Sequence, residues 1–479
     1  MAKSKVLSGM MWASFQRFGS LAISFISNMI LARLLTPDDF GTIGMLMFFL
    51  ALAQTFVDSG FGSALIQKKD INETDKSTVF YINMCLSLFM YGILYFCAPL
   101  IANYYNLSIL TSLLRVLGLT VLIQGVTLIQ STLMMKNMDF KTLSICNISG
   151  SIVIAVVGIG TALIGCGVWS LVYRSIAGTV VTSLLLWSFN RWRPVLKFSW
   201  QSFSKLFGFG GFMLLSSVLI TISNNIHTMI MGKLFTPATL GNFTQARTLR
   251  NLPSESISSI ISSVLYPDFS QYQDSDKIIE SKLTKGVYTL SYLMAAVMMF
   301  CFAAARPLIQ LLYGGQWDAA IPIFQVLCLA GVPLCLQDIN ISVIKAKGRS
   351  KLLFVCNLAK VIIYCILMVA GAKLWGLPGF LAVMVLYTYL AYFVFAFFAS
   401  QSIGVSIKSQ LLAICKSIIY SVIPLVFVMF VQEYINTDYL LAESAIIAII
   451  YFVLFVAISY ATKAAPLFFI IDIVKSRRK

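Results

Sequence analysis

Nine charged side chains stand out inside long apolar runs of this sequence. Six are cationic (Arg17, Arg115, Arg174, Arg247, Arg250 and Lys360) and three anionic (Asp58, Glu255 and Asp338). A charge in such surroundings costs roughly 2.5–3.5 kcal/mol on membrane-insertion scales, so each needs a functional or positional reason. A guanidinium presents a planar fork that grips phosphate through two parallel hydrogen bonds. The excess of cations suits an anionic ligand better than a cationic one. Arg247 and Arg250 are three residues apart and share one face of a helix. Arg17 stands beside Gln16, with Ser14, Ser20 and Ser24 nearby. These three arginines are the candidate ligand-binding residues. Arg115 and Arg174 lie a turn or two from the ends of their runs, where a long side chain reaches the interface without any function.

Candidates for coupling to an ion, H+ or Na+, are Asp58 after Gln54, Asp338 between Gln337 and Asn340, and His227 beside Asn224 and Asn225. Histidine titrates near neutral pH. It is the sole histidine, and the ten cysteines are scattered singly with no CxxC pair. No metal cluster or other cofactor is expected. The cysteines read as small buried hydrophobes.

What positions these residues is set by composition. Of 479 residues 59% are hydrophobic and 11% charged, at a mean hydropathy of +0.88. A soluble domain carries about twice that charge, so cytosolic enzymes, disordered chains and soluble nucleic-acid binders are excluded. A membrane helix needs about 20 apolar residues. Candidate spans fall at 11–33, 41–61, 78–101, 109–134, 142–164, 168–189 and 209–232. Seven more follow at 241–265, 286–305, 321–344, 352–373, 378–400, 411–432 and 443–462. The expected fold is an all-α polytopic membrane protein of about 14 transmembrane helices. Its N-terminal apolar run reads as the first span rather than as a cleaved leader.

Of the 35 Lys and Arg residues, 25 fall at the termini and the even-numbered connections, and four near span ends on the opposite side. The positive-inside rule therefore places both termini in the cytoplasm, and the formal charge of +17 is mostly an inward-facing collar. The connections are short. The outer stretch from Arg306 to Ile321 offers one carboxylate, Asp318, too few for the acid/base pair or metal site of glycan-building chemistry. No phosphate-binding GxxxxGK[ST] loop is present to use ATP. The chain reads as a transporter, not an enzyme.

Leu31-Ala-Arg-Leu-Leu-Thr-Pro-Asp-Asp-Phe-Gly41 aligns without gaps on Met231-Gly-Lys-Leu-Phe-Thr-Pro-Ala-Thr-Leu-Gly241. Each copy joins the first and second span of a six-span set. Thr-Pro is expected to end one helix in a tight turn, and the glycine to begin the next. Parallel repeats of this kind are a standard transporter plan. They predict two pseudo-symmetric six-helix lobes at 1–190 and 206–400, a cytoplasmic linker at 191–205, and two extra helices with a basic tail at 401–479.

These segments also carry a family likeness. LARLLTPDDFG (31–41), GCGVWSLV (165–172), RWRP…FS (191–199), GKLFTPATLGNFTQARTLRNLP (232–253) and KAKGRSK (345–351) resemble the Wzx-type polysaccharide flippases of the multidrug/oligosaccharidyl-lipid/polysaccharide exporter superfamily. The resemblance implies a multi-pass protein of the bacterial inner membrane. Its cargo would be an undecaprenyl-diphosphate-linked glycan for lipopolysaccharide or exopolysaccharide assembly, its surroundings membrane lipids, and its further partners glycan-assembly proteins, with no nucleic acid. Lipid flippases of the superfamily place arginines at similar positions on their first and eighth spans, which Arg17, Arg247 and Arg250 match. The alternatives are a multidrug/cation antiporter of the same superfamily and a membrane glycan polymerase.

Overall fold

The structure, a computed structural model, describes residues 2–58, 60–68, 70–433 and 439–476; the side chains of 2–7, 205–210, 212–213, 255–264, 350, 470–474 and 476 lie outside the described residues. Glu255 is among these. No strand occurs among the described residues. In hydrocarbon a helix satisfies every backbone group within itself, and the all-α expectation holds for that reason.

The chain divides into two compact units. The first, Met1–Gly241, holds α1 (Ala2–Leu34), α2 (Pro37–Asp58), α3 (Phe61–Gln67), α4 (Glu73–Tyr105) and α5 (Ile109–Leu117). It continues with α6 (Leu119–Lys136), α7 (Phe140–Leu163), α8 (Trp169–Phe189) and α9 (Trp200–Leu234). The second, Asn242–Lys479, begins inside α10 (Pro237–Gln271). It contains α11 (Asp276–Ala303), α12 (Ala305–Tyr313), α13 (Ala320–Leu329), α14 (Gly331–Ala346) and α15 (Ser350–Ser402), then α16 (Lys408–Gln432), α17 (Leu440–Ala461) and α18 (Ala465–Ser476).

Among the described residues, eleven helical stretches are long and apolar enough to cross a membrane. One of them is most of α15, which carries two of the expected spans. At Gly376 the backbone enters positive φ (63°), which favours glycine. A Cβ on Gly379 would lie 2.3 Å from the Gly371 carbonyl oxygen, so 350–375 and 377–402 run antiparallel as a hairpin. α1 and α10, polar in places, are helical over the expected first and eighth spans. The fourth and tenth spans are each broken, at Gly118 between α5 and α6 and at Ala330 between α13 and α14.

Within the first unit α1 lies along α7, where the Ser144 hydroxyl donates to the Trp12 carbonyl (3.0 Å) and Ser151 to Ser20 (3.1 Å). α9, expected at the start of the second lobe, packs against α2 and α4 here. The Thr55 and Thr221 hydroxyls meet at 2.7 Å, and the Lys233 ammonium donates to the Tyr104 carbonyl while sitting 4.5 Å over that tyrosine's ring. The segment before α9 is fastened to the start of α4. Trp192 Nε1 donates to Glu73 (2.7 Å), and the backbone N–H groups of Val195 and Ser199 donate to the Ser77 and Thr78 hydroxyls.

In the second unit α11 packs against α14 and α16. The two helices beyond the repeat, α16 and α17, close on α11 through Tyr292, Tyr451 and Phe455, with the Ser291 and Ser417 hydroxyls 2.8 Å apart in the core.

Candidate functional site

The second unit brings a cluster of polar and charged groups together from three helices. On α10, Arg250 is 3% exposed, and its Nε and Nη1 have no hydrogen-bond partner among the described residues. Arg247, one turn earlier, is half-buried. Both guanidinium groups lie within electrostatic reach of the buried Tyr364 on the first limb of α15. Tyr364 stacks near Tyr387 of the second limb, ring centroids 4.5 Å apart, and the Tyr387 hydroxyl donates to the Lys360 carbonyl (2.6 Å).

Lys360 turns its ammonium to the Gln337 side-chain oxygen of α14 (3.3 Å), and Gln337 in turn donates to the Thr388 carbonyl (3.2 Å). Asp338, beside Gln337, is close enough to act on the Lys360 charge. A buried guanidinium is costly unless something anionic meets it, and among the described residues no carboxylate bonds to Arg250 Nε or Nη1. The cluster thus has the chemistry of an anion site, with Asp338 and Lys360 forming a neighbouring pair of opposite sign.

The sequence-predicted residues divide between the units. Arg247, Arg250 and Asp338 belong to the second, and the structure brings them into one neighbourhood. Arg17, Asp58 and His227 belong to the first. Arg17 is exposed on α1, on a face other than the one that carries Trp12, Gln16 and Ser20 to α7, and makes no ion pair among the described residues. Asp58 ends α2 and accepts from the Gln124 side-chain amide (2.9 Å). His227 is 2% exposed on α9, next to Thr228, whose hydroxyl donates to the Asn225 carbonyl. The three stand on three different helices, α1, α2 and α9.

Arg115 donates to the Tyr95 carbonyl (3.3 Å) and lies 4.3 Å over that ring, the local satisfaction expected of a span-end arginine. Tyr364 and Tyr387 were invisible as site members in the sequence. A tyrosine in an apolar run gives no signal, although the Lys360–Tyr364 spacing of four placed those two on one face.

The repeat junctions differ from expectation in one respect. Thr36 caps α2: its hydroxyl and backbone N–H both meet the Asp39 carboxylate (2.8 and 3.0 Å), and the Asp39 N–H returns to the Thr36 hydroxyl (3.3 Å). Thr236 accepts from the Thr239 N–H in the same way (3.3 Å). Threonine at the cap and proline at the first helical position are helix-start signals. The helices therefore begin at Pro37 and Pro237, and Gly41 and Gly241 lie a turn inside, where their role is close approach.

A family model described as "Polysaccharide biosynthesis protein" matches residues 30–322, which include both repeat junctions and both arginines of α10. The chain belongs to that polysaccharide biosynthesis family. Among relatives, it is 25% identical over 402 residues to the lipopolysaccharide biosynthesis protein WzxC of Escherichia coli (strain K12), covering 82% of this chain and 81% of that one. It is 25% identical over 375 residues to the teichuronic acid biosynthesis protein TuaB of Bacillus subtilis (strain 168), covering 77% of each. To the succinoglycan biosynthesis transport protein ExoT of Rhizobium meliloti (strain 1021) it is 26% identical over 345 residues, covering 72% of this chain and 69% of that one. Among solved structures, the lipid II flippase MurJ in an inward closed conformation superposes with a TM-score of 0.74 at 16% identity, covering 95% of this chain and 99% of that one. An inward-facing multidrug resistance MATE family transporter gives 0.63 at 15% identity, covering 81% and 98%. The fold of this family member is that of these transporters, and the protein is a multi-pass membrane protein rather than an enzyme.

Proposed function

We propose that this protein is a flippase carrying undecaprenyl-diphosphate-linked oligosaccharide units from the cytoplasmic to the periplasmic leaflet of a bacterial inner membrane. The products would serve lipopolysaccharide or exopolysaccharide assembly, with both termini of the carrier in the cytoplasm. The observation that carries this reading is Arg250, a buried guanidinium whose Nε and Nη1 have no partner among the described residues, in the family-matched segment with Arg247 beside it. A lipid diphosphate brings acceptor oxygens and negative charge to the buried Arg250 fork. Arg17 is assigned to the same cargo from the first unit.

Movement is by alternating access of two repeat lobes, 1–190 and 206–400, joined by the linker 191–205 and followed by the appended helices of 401–479. Net flux needs a gradient or removal of product, since tight binding by itself only shifts populations. Coupling to H+ or Na+ is assigned to Asp58, Asp338 and His227. A multidrug/cation antiporter would need an acidic cavity, and the excess of intramembrane cations speaks against it. A glycan polymerase would need a catalytic outer loop that the short connections do not supply.

The test is flipping of a labelled undecaprenyl-diphosphate oligosaccharide in proteoliposomes. Arg250→Ala should slow it about 10- to 100-fold, the worth of a charge-assisted hydrogen-bond pair. Arg250→Lys should restore it in part, since lysine keeps the charge and loses the fork. Undiminished flipping by the Arg17→Ala/Arg247→Ala/Arg250→Ala variant would remove the arginines from the cargo site. Failure of the unaltered protein to flip any lipid-linked glycan would overturn the function.

A further inference from the structure

Between the two limbs of the α15 hairpin runs a groove that the proposed transport cycle does not use. A hollow of about 480 Å³ lined by Arg349, Lys351 and Gln401 continues into one of about 260 Å³ through the shared residues Leu352, Val355 and Phe398. Below its mouth the groove is apolar. Val355 and Ala359 on one limb face Leu390 and Val394 on the other, all but Ala359 among the bulky apolar residues left open to the hydrocarbon. The Lys360 stem forms part of the wall, while its ammonium turns inward to Gln337 and leaves the groove uncharged.

The mouth has the opposite character. Arg349 and Lys351 are exposed, as is Lys345 at the end of α14, and none of the three makes an ion pair among the described residues. Their neighbour Lys347 is already neutralised by Asp276 (2.6 Å).

From Leu352 to Ile363 the wall rises about 16 Å at 1.5 Å per residue, close to half of a bilayer core about 30 Å thick. A groove one leaflet deep, with a cationic mouth at headgroup level, matches a lipid whose tail ends at mid-bilayer. A longer polyprenyl chain would overrun it.

We infer that the α15 hairpin binds an anionic glycerophospholipid, with its phosphate between Arg349 and Lys351 and one acyl chain along Val355, Ala359 and Val394. Basic side chains at the surface favour anionic over zwitterionic headgroups, so the site would tie this hairpin to the charge of the surrounding leaflet. It is separate from the cargo arginines and stands whether or not the flippase reading does.

The experiment is native mass spectrometry of delipidated protein in detergent mixed with equal phosphatidylglycerol and phosphatidylcholine. The unaltered protein should retain one phosphatidylglycerol with about tenfold preference. Arg349→Gln/Lys351→Gln should bring that preference close to one without changing the unfolding temperature in phosphatidylcholine. Should the double variant fail to fold, Val355→Trp, which fills the groove and leaves the mouth intact, should lose the retained lipid. An unchanged preference in either variant overturns the site. Complete displacement by glycerol 3-phosphate would make it a free-phosphate site, and preferential displacement by a polyprenyl diphosphate would make it a cargo site; either result also overturns the inference.

Discussion

Gly41 and Gly241, two hundred positions apart, sit against each other's helix starts. A Cβ added to Gly41 would fall 1.7 Å from the Pro237 carbonyl oxygen, and one added to Gly241 would fall 1.9 Å from that of Pro37. Each glycine also faces the backbone nitrogen of the other, at 3.0 and 3.1 Å from the added carbon. The contact is thus nearly symmetric, with the same residues of the two repeats exchanging the same approach. Any side chain here must push the two backbones apart, because the atoms it meets are main-chain carbonyls that cannot rotate away.

The caps that start these helices make a first prediction. Thr36→Val removes the hydroxyl that both donates to Asp39 and accepts from its N–H. The expected cost is about 1 kcal/mol, read as a fall of about 1–2 °C in the thermal unfolding midpoint in detergent. Thr236→Val should cost less, because Thr239 offers a hydroxyl where Asp39 offers a carboxylate. An equal or larger loss at Thr236 would mean that the Thr36–Asp39 box contributes nothing special.

A second prediction fixes orientation. Gly348 and Gly376 end opposite ends of one limb of the α15 hairpin, both at positive φ. Alkaline phosphatase, which needs an oxidising compartment for its disulfides, should be inactive when fused after Gly348 and active after Gly376. The reverse pattern would turn the whole chain over, and with it the cytoplasmic assignment of the termini.

Much of this arrangement was legible in the residues. Long apolar runs forced helices, and the Thr-Pro junctions announced a repeat because cap chemistry is local. Arg247 and Arg250 could be paired from their spacing, since three residues along a helix return to one face. Lys360, Tyr364 and Tyr387 could not be joined to them, because the hairpin at Gly376 and the packing of α15 on α14 are long-range facts. The role of Gly41 was misread for the same reason. A glycine near a turn looks like a helix starter, and only the position of Pro237 reveals that it makes room for another backbone. α9 illustrates the remaining gap: its hydropathy is that of any span, while its attachment to the first unit rests on Thr221 and Lys233 finding Thr55 and the Tyr104 carbonyl.

The glycine contact supports the last prediction. If the two repeats separate at this junction during transport, the helix starts at Pro37 and Pro237 must part and rejoin in each cycle. Gly241→Val should hold them apart and slow flipping by favouring the parted state, while the protein level stays unchanged. Cysteines at Thr36 and Thr236, in a background lacking the ten native cysteines, should do the opposite when joined by a short bifunctional thiol reagent. They flank the prolines whose carbonyls the glycines meet, so the bridge would lock the closed contact. Flipping should stop on crosslinking and return when a cleavable linker is reduced. A bridged protein that flips at its normal rate would show that this junction stays shut throughout, and would move the opening of the cycle elsewhere in the fold. The glycine variant separates the two explanations of a dead crosslink. Were the junction merely structural, Gly241→Val would lower the unfolding temperature with no effect on the rate of the protein that remains folded.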